Sequence, residues 1–453
     1  MADTPRHDKS AKQLRLLAEA IGSGRLGPIK RLVNTLSPAE IGNLLESLPP
    51  ARRDIVWGLV DPEDDGEVLV HVGDEVREDL LEAMDPEEMV AAAETLDIDD
   101  LAELMGDLPD TVADEVLKSM DRENRERLEQ MLAHPEDSAG RLANPDVVTV
   151  RADVTVDVVL RYLRFRGELP ESTDHIYIVS RRHQYLGRVS LAALLTAHPD
   201  TPINRLLDDT QPAIRADTPA SEVAIQFENH DWVSAPVVDG NNVLLGRMTI
   251  DDIVDIIREQ AEHQALGAAG LDEDEDLFSP VPRAARRRAI WLGINLLTAF
   301  LASWVIGNFA NVISKVVAVA VLMPVVASMG GIAGTQVLTL MVRALALGQV
   351  GMSNSIPLLR KEILIAVANG LLWAVVVGTV AWIVYRNELL AVAFGGAIVL
   401  NLLAAAMSGV IIPLALKRLS IDPALAGGVI LTTVTDCCGF ASFLGLATLL
   451  LLR

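Results

Sequence analysis

The sequence predicts a multidomain membrane protein: an all-α helical solenoid, a duplicated α/β pair, an acidic connecting helix and an α-helical domain of five spans. Three observations predict it. A turn-and-cap pattern recurs every twelve residues in the first third of the chain, a longer segment is duplicated in the middle, and the last 165 residues are dominated by apolar stretches long enough to cross a bilayer. The boundaries fall at 1–139, 140–258, 259–288 and 289–453.

Charge divides the chain in the same way. Of 62 acids and 38 bases, only four acids and eight bases lie beyond residue 288, so the preceding part has a net charge of −28. An acidic soluble part joined to an apolar one suits a protein whose soluble half handles cations. It argues against nucleic acid, whose phosphates it would repel. Residues 1–27 lack the apolar run that a secretory leader needs. The two cysteines, Cys437 and Cys438, are adjacent and form neither a disulfide framework nor a spaced metal motif, which places the soluble half in the cytoplasm.

In the solenoid, Leu36-Ser37-Pro38, Leu48-Pro49-Pro50, Val60-Asp61-Pro62, Val72-Gly73-Asp74, Met84-Asp85-Pro86, Leu96-Asp97-Ile98, Leu108-Pro109-Asp110 and Met120-Asp121-Arg122 keep step. Ser or Asp before Pro, followed by Glu, is an N-cap with proline at the first helical position. Each unit is therefore a helix of about two turns, too short to stand alone, and stacking supplies the shared core.

The duplication is marked by Arg151-Ala152-Asp153 recurring as Arg215-Ala216-Asp217, and Leu186-Gly187-Arg188 recurring as Leu245-Gly246-Arg247. Each copy reads as an extended segment, a helix and two strands, at His175–Ser180 with Tyr185–Ser190 and at Ser234–Asp239 with Leu244–Thr249. Helices begin near Leu191 and Ile250. Asp255, Glu259 and Glu262 then form one helix face, followed by five acids from Asp272 to Asp276. These read either as a solvated face and linker or as a cation sensor.

Apolar stretches at about 289–310, 312–342, 363–385, 389–416 and 424–452 reach the roughly 20 residues a span requires. Arg283, Arg286, Arg287 and Arg288 precede the first, Arg343, Arg360 and Lys361 follow the second, and Lys417 and Arg418 follow the fourth. These are alternate loops, so the N-terminus is cytoplasmic and Arg453 lies outside.

Asp436 is the most informative residue. It lies about twelve residues into the last stretch, or roughly 18 Å along a helix, near the middle of the hydrocarbon. A carboxylate there costs at least about 2.5–3.5 kcal/mol and should face a pore or a partner. Thr432, Thr433 and Thr435 add hydroxyl oxygens that suit a hard cation. Pro324 and Gly330-Gly331-Ile332-Ala333-Gly334 predict a break in the second span, exposing carbonyls beside a cavity, although packing also favours small residues there.

The duplicated segment, with Ala235-Pro236-Val237-Val238-Asp239 and Gly246-Arg247-Met248-Thr249-Ile250-Asp251-Asp252, resembles a tandem pair of CBS domains, regulatory modules that bind adenine nucleotides or ions. The resemblance makes Thr249 and Asp252 the ribose-holding pair, and ATP the nucleotide. The first copy has Ser190 and Ala193 at those places, leaving at most one intact site. In order, the parts of the chain resemble MgtE-type magnesium channels, with the glycine-rich second span at 324–343 and Asp422-Pro423-Ala424-Leu425 followed by Asp436. The resemblance implies a homodimer with Mg2+ as cargo and its pore at the subunit interface. Asp436 is then the pore carboxylate and Asp422 lies nearer the cytoplasmic mouth, with Asp231, Asp252, Asp255, Glu259 and Glu262 as sensor positions. Ile332 stands where many relatives have Asn. Gln260, His263 and Gln264 occupy a stretch usually richer in carboxylates, so weaker sensing is expected. The alternatives are a Co2+ or Mn2+ transporter and a nucleotide sensor merely anchored by its spans. No nucleophile–base pair or phosphate-cradling loop points to an enzyme.

Overall fold

Short helices succeed one another from Pro38 to Leu132, and their burial repeats with the period of the sequence. Leu44, Val56, Val68, Leu80, Ala92, Leu104, Val116 and Leu128, each twelve residues after the last, are all buried in one core. The starts are capped as the sequence requires. Ser37 Oγ accepts from the Glu40 amide while Glu40 accepts from the Ser37 amide, and Asp121 accepts from the amides of Glu123 and Asn124.

The computed structural model describes residues 26–452 apart from 171, 268, 272–275, 352–353 and 420. The expected absence of a leader, the acids at 272–275 and the external Arg453 lie outside the described residues. The chain divides into two units, one of residues 1–260 with 274–280 and one of 261–273 with 281–453.

In the first unit the duplication folds as two matching sheets. β1 (Thr149–Val150) runs parallel to β2 (His175–Val179), which pairs antiparallel with β3 (Tyr185–Ser190). β4 (Ile214–Arg215), β5 (Ser234–Val238) and β6 (Leu244–Thr249) repeat the order, with an irregularity at the same point, Ile178/Val179 and Val237/Val238. The copies face each other across their hairpins, where the Tyr185 amide donates to the Asn242 carbonyl and the Leu244 amide to the His183 carbonyl. The repeated Leu-Gly-Arg has a steric cause. A Cβ on Gly187 would lie 2.7 Å from the Asp208 carbonyl oxygen, and one on Gly246 would lie 2.4 Å from that of Asn144.

One part of the acidic linker is not solvated. Asp276 accepts from Arg53 of the solenoid at 2.5 Å, its amide donates to Glu75, and Ser279 also donates to Glu75. Arg53 is 1% exposed and also donates to the carbonyls of Leu45 and Leu48. Of the two alternatives for the acid run, the solvated linker therefore fails at Asp276: a specific buried cation draws this carboxylate out of solvent.

Among the described residues, the second unit contains five helices long and apolar enough to cross a membrane: Val281–Gly307, Val317–Ala346, Ser355–Tyr385, Glu388–Arg418 and Pro423–Leu451. The fourth is the most buried, with Phe394 against Phe443 of the fifth at 5.5 Å. The expected break in the second span is not observed. The helix is continuous from Val317 to Ala346, and the interruption lies before it at Val316, after the short helix Ala310–Lys315. Pro324 stands only eight residues into the helix, and Gly330 and Gly334 are packing notches rather than breakers: a Cβ on Gly334 would lie 3.0 Å from Leu431, while Gly331 faces open space within the same unbroken helix.

Candidate functional site

The last span presents a buried stripe, Leu431, Thr435, Gly439 and Phe443, to its neighbours. Asp436, fourteenth in the helix, stands one position off that stripe and is half-buried. Among the described residues no cation pairs with it. The three threonines do not act alike. Thr432 lies one turn before Asp436 on an exposed face, with its hydroxyl donating to Gly428. Thr435 is fully buried and donates to the carbonyls of Leu431 and Thr432, which removes it from the expected oxygen environment because it faces the bundle core. Ile332 is exposed.

Asp422 is the N-cap of the same helix. Its Oδ1 accepts from the Ala424 amide at 2.9 Å, and its Oδ2 accepts from the Leu425 amide at 3.1 Å and from His263 Nε2 at 2.9 Å. A turn beyond His263, Gly267 approaches Ala424 so closely that an added Cβ would lie 3.4 Å away. The connecting helix thus touches the start of the last span directly. Its acids Asp255, Glu259 and Glu262 are exposed along it, and the helix runs without interruption from Ile250 to Gly267, across the 258/259 boundary drawn from sequence.

Asp252 accepts from both the amide and the hydroxyl of Thr249, at 2.7 and 3.1 Å, so the two are mutually oriented. Burial pushes its carboxyl up to about 6, and the negative charges of Asp251 and Asp99 add to the shift. On the solenoid, burial with Asp100 and Asp97 lifts Asp99 to about 7. Asp100 is lifted to about 6 by burial and by Asp97, Glu103 and Asp252. Asp99 Oδ1 is buried without a hydrogen-bond donor among the described residues. Sequence reasoning did not single out Asp99 and Asp100, because only folding brings a solenoid helix beside Asp252. Asp231 stands apart in a left-handed C-cap (φ 53°), exposed, and among the described residues no hydrogen bond or ion pair joins it to these acids. No three His, Cys, Asp or Glu side chains form a ready-made metal cage among the described residues.

Known proteins account for this assembly. Residues 36–137 match the MgtE intracellular N domain, 203–259 the CBS domain, and 323–446 the MgtE divalent cation transporter family. The chain is 32% identical to a magnesium transporter MgtE of Thermus thermophilus over 72% of this chain and 73% of that one. It is 30% identical to the magnesium transporter MgtE of Enterococcus faecalis over 97% of both. A solved cytosolic domain of the Mg2+ channel MgtE in complex with ATP is 29% identical, covering 53% of this chain and 98% of that one, with a TM-score of 0.48. By its identity with these relatives over most of their length, the chain belongs to the MgtE family of magnesium transporters.

Proposed function

We propose that this protein passes Mg2+ across the cell membrane along the last span and that its acidic cytoplasmic domains close the path when internal Mg2+ is high. The observation behind it is Asp436, a carboxylate in mid-span with no paired cation among the described residues. Mg2+ gives up its water reluctantly, so a path for it needs one or two carboxylates and room for a hydration shell rather than a cage of ligands. A homodimer would place two copies of Asp436 about one axis and supply that charge.

The sensor reading rests on the acids around Asp252. Asp99, Asp100 and Asp252 disfavour one another's ionisation, and a divalent cation would remove that cost. Asp255, Glu259 and Glu262 extend the negative face along the connecting helix, where a second subunit would double it. A cation binding the closed arrangement more tightly shifts the population toward it. Thr249 and Asp252 also fit a ribose. Their mutual hydrogen bonds use Asp252 Oδ2, and the other oxygen can accept from a ribose hydroxyl, which is the basis for ATP at this copy.

The test is Mg2+ flux into proteoliposomes. Asp436→Asn should reduce it at least about a hundredfold, while the protein still inserts and folds. Flux equal to the parent's would remove Asp436 from the pathway, and a parent that passes no Mg2+ would leave the spans as an anchor for a nucleotide sensor. Competition by Co2+ and Mn2+ in the same assay separates the neighbouring metal readings.

A further inference from the structure

At the centre of the fourth span stands a polar side chain that the pathway does not use. Asn401, fourteenth in Glu388–Arg418, is 1% exposed. Its Nδ2 donates to the Val326 carbonyl of the second span at 2.8 Å. The orientation follows from chemistry, since only the nitrogen end of an amide can face a carbonyl. Its Oδ1 is buried with no hydrogen-bond partner among the described residues.

Two glycines make room for it. A Cβ on Gly330 of the second span would lie 2.1 Å from Asn401 Nδ2, and one on Gly439 of the last span would lie 2.7 Å from the same atom. No residue with a side chain fits either place unless the amide moves. Asn401 is therefore a wedge between the second and last spans, hydrogen-bonded to one and in contact with the backbone notch of the other. Gly439 is three residues after Asp436, about 4.5 Å along the helix. Core packing resists gradual deformation, so a shift at this notch turns or slides the segment that bears Asp436.

We propose that Asn401 is a positioning residue for transport: its amide sets the rotation of the last span and so directs the Asp436 carboxylate. The buried, unpaired Oδ1 supports a role beyond packing. An apolar side chain would fill the same space without that cost, whereas the amide alone supplies a directional bond to Val326. The proposal rests on Asp436 being the pathway carboxylate, and the test separates the two.

Cys437 and Cys438 directly follow Asp436 on adjacent faces of the helix and are free thiols, so they report its rotation. The full-length protein in proteoliposomes is treated with a charged methanethiosulfonate, which reacts only where water reaches, and the label on each cysteine is read by mass spectrometry. Mg2+ flux and the Mg2+/Co2+ flux ratio are measured alongside. Asn401→Ala should change the ratio of labelled Cys437 to Cys438 at least about threefold, lower flux about tenfold and shift the ion ratio. Gly439→Ala should do the same while the amide is present and much less in the Asn401→Ala background, where the collision is gone. Parent labelling and a parent ion ratio in Asn401→Ala would overturn the proposal, as would equal effects of Gly439→Ala in both backgrounds. A variant that fails to fold is replaced by Asn401→Ser, judged by the same labelling ratio. If Asp436→Asn transports normally, the pathway assignment fails, while the cysteine ratio still decides whether Asn401 sets the rotation.

Discussion

His263 of the connecting helix donates from Nε2 to Asp422, the N-cap of the last span, at 2.9 Å. Read as one member of an acidic stretch, His263 is a missing carboxylate. In the fold it is a direct hydrogen-bonded link between the connecting helix and the helix bearing Asp436. Asp422 is therefore both a helix cap and an anchoring point.

These two roles can be separated by substitution. Asp422→Asn keeps an N-cap acceptor but loses the charge, whereas Asp422→Ala loses both. If capping dominates, Ala should destabilise the protein by about 1 kcal/mol and Asn by far less. If the charge attracts the ion at the mouth, both should reduce flux at limiting Mg2+ equally. Thermal melting in detergent, paired with flux, distinguishes the outcomes.

The buried ion pair of Arg53 and Asp276 predicts an asymmetric response. Arg53→Met strands a carboxylate in the interior and should cost about 3–5 kcal/mol, whereas adding Asp276→Leu should recover much of the loss. Chemical denaturation of the two variants checks it. Equal destabilisation by both would mean that the carbonyl bonds of Arg53, rather than the ion pair, hold this segment.

The proposed sensor acids predict how protons and Mg2+ compete. Asp99, Asp100 and Asp252 have folded pKa values raised above the ordinary carboxylate value, so their contribution to stability is greatest below about pH 4 and is lost as pH rises through about 6 to 7. If these acids form the proposed cation site, Mg2+ takes the place of the protons above that range. Its effect on protease resistance of the full-length protein should be small near about pH 5 and large near about pH 8. Neutralising Asp252, Asp255, Glu259 and Glu262 together should shift inhibition of flux to higher internal Mg2+. Inhibition curves that coincide with the parent's would move sensing elsewhere.

Orientation is tested by a reporter fused after Arg453. Positive flanks on alternate loops predict an external position, so alkaline phosphatase there should be active and a cytoplasmic reporter silent. The reverse result would remove the inferred orientation.

Much of this architecture was legible because its signals are local. Caps and apolar positions twelve residues apart define the solenoid, and the strands were placed to within a residue because alternation and turn residues mark them. The second span was misread because proline and glycine in sequence look like breakers, and only the packed bundle reveals Gly330 and Gly334 as clearances for Asn401 and Leu431. Thr435 was grouped with Asp436 by proximity along the chain, yet a step of one residue turns a helix by about 100° and sends it into the core. Asp99, Asp100 and Asn401 went unnoticed for a shared reason. Their surroundings come from segments distant in sequence.

The twelve-residue recurrence of buried positions from Leu44 to Leu128 has a consequence for how this domain tolerates change in length. Its core is a row of equivalent places rather than a single centre. Adding or removing one whole repeat keeps every later residue in phase, exchanging one interface for two, or two for one, of the same kind. Adding two or three residues inside a helix instead turns all that follow within that repeat, exposing its buried member while the next cap resets the count. Damage in such an array is confined to the neighbourhood of the lesion, and the domain can grow or shrink in quanta.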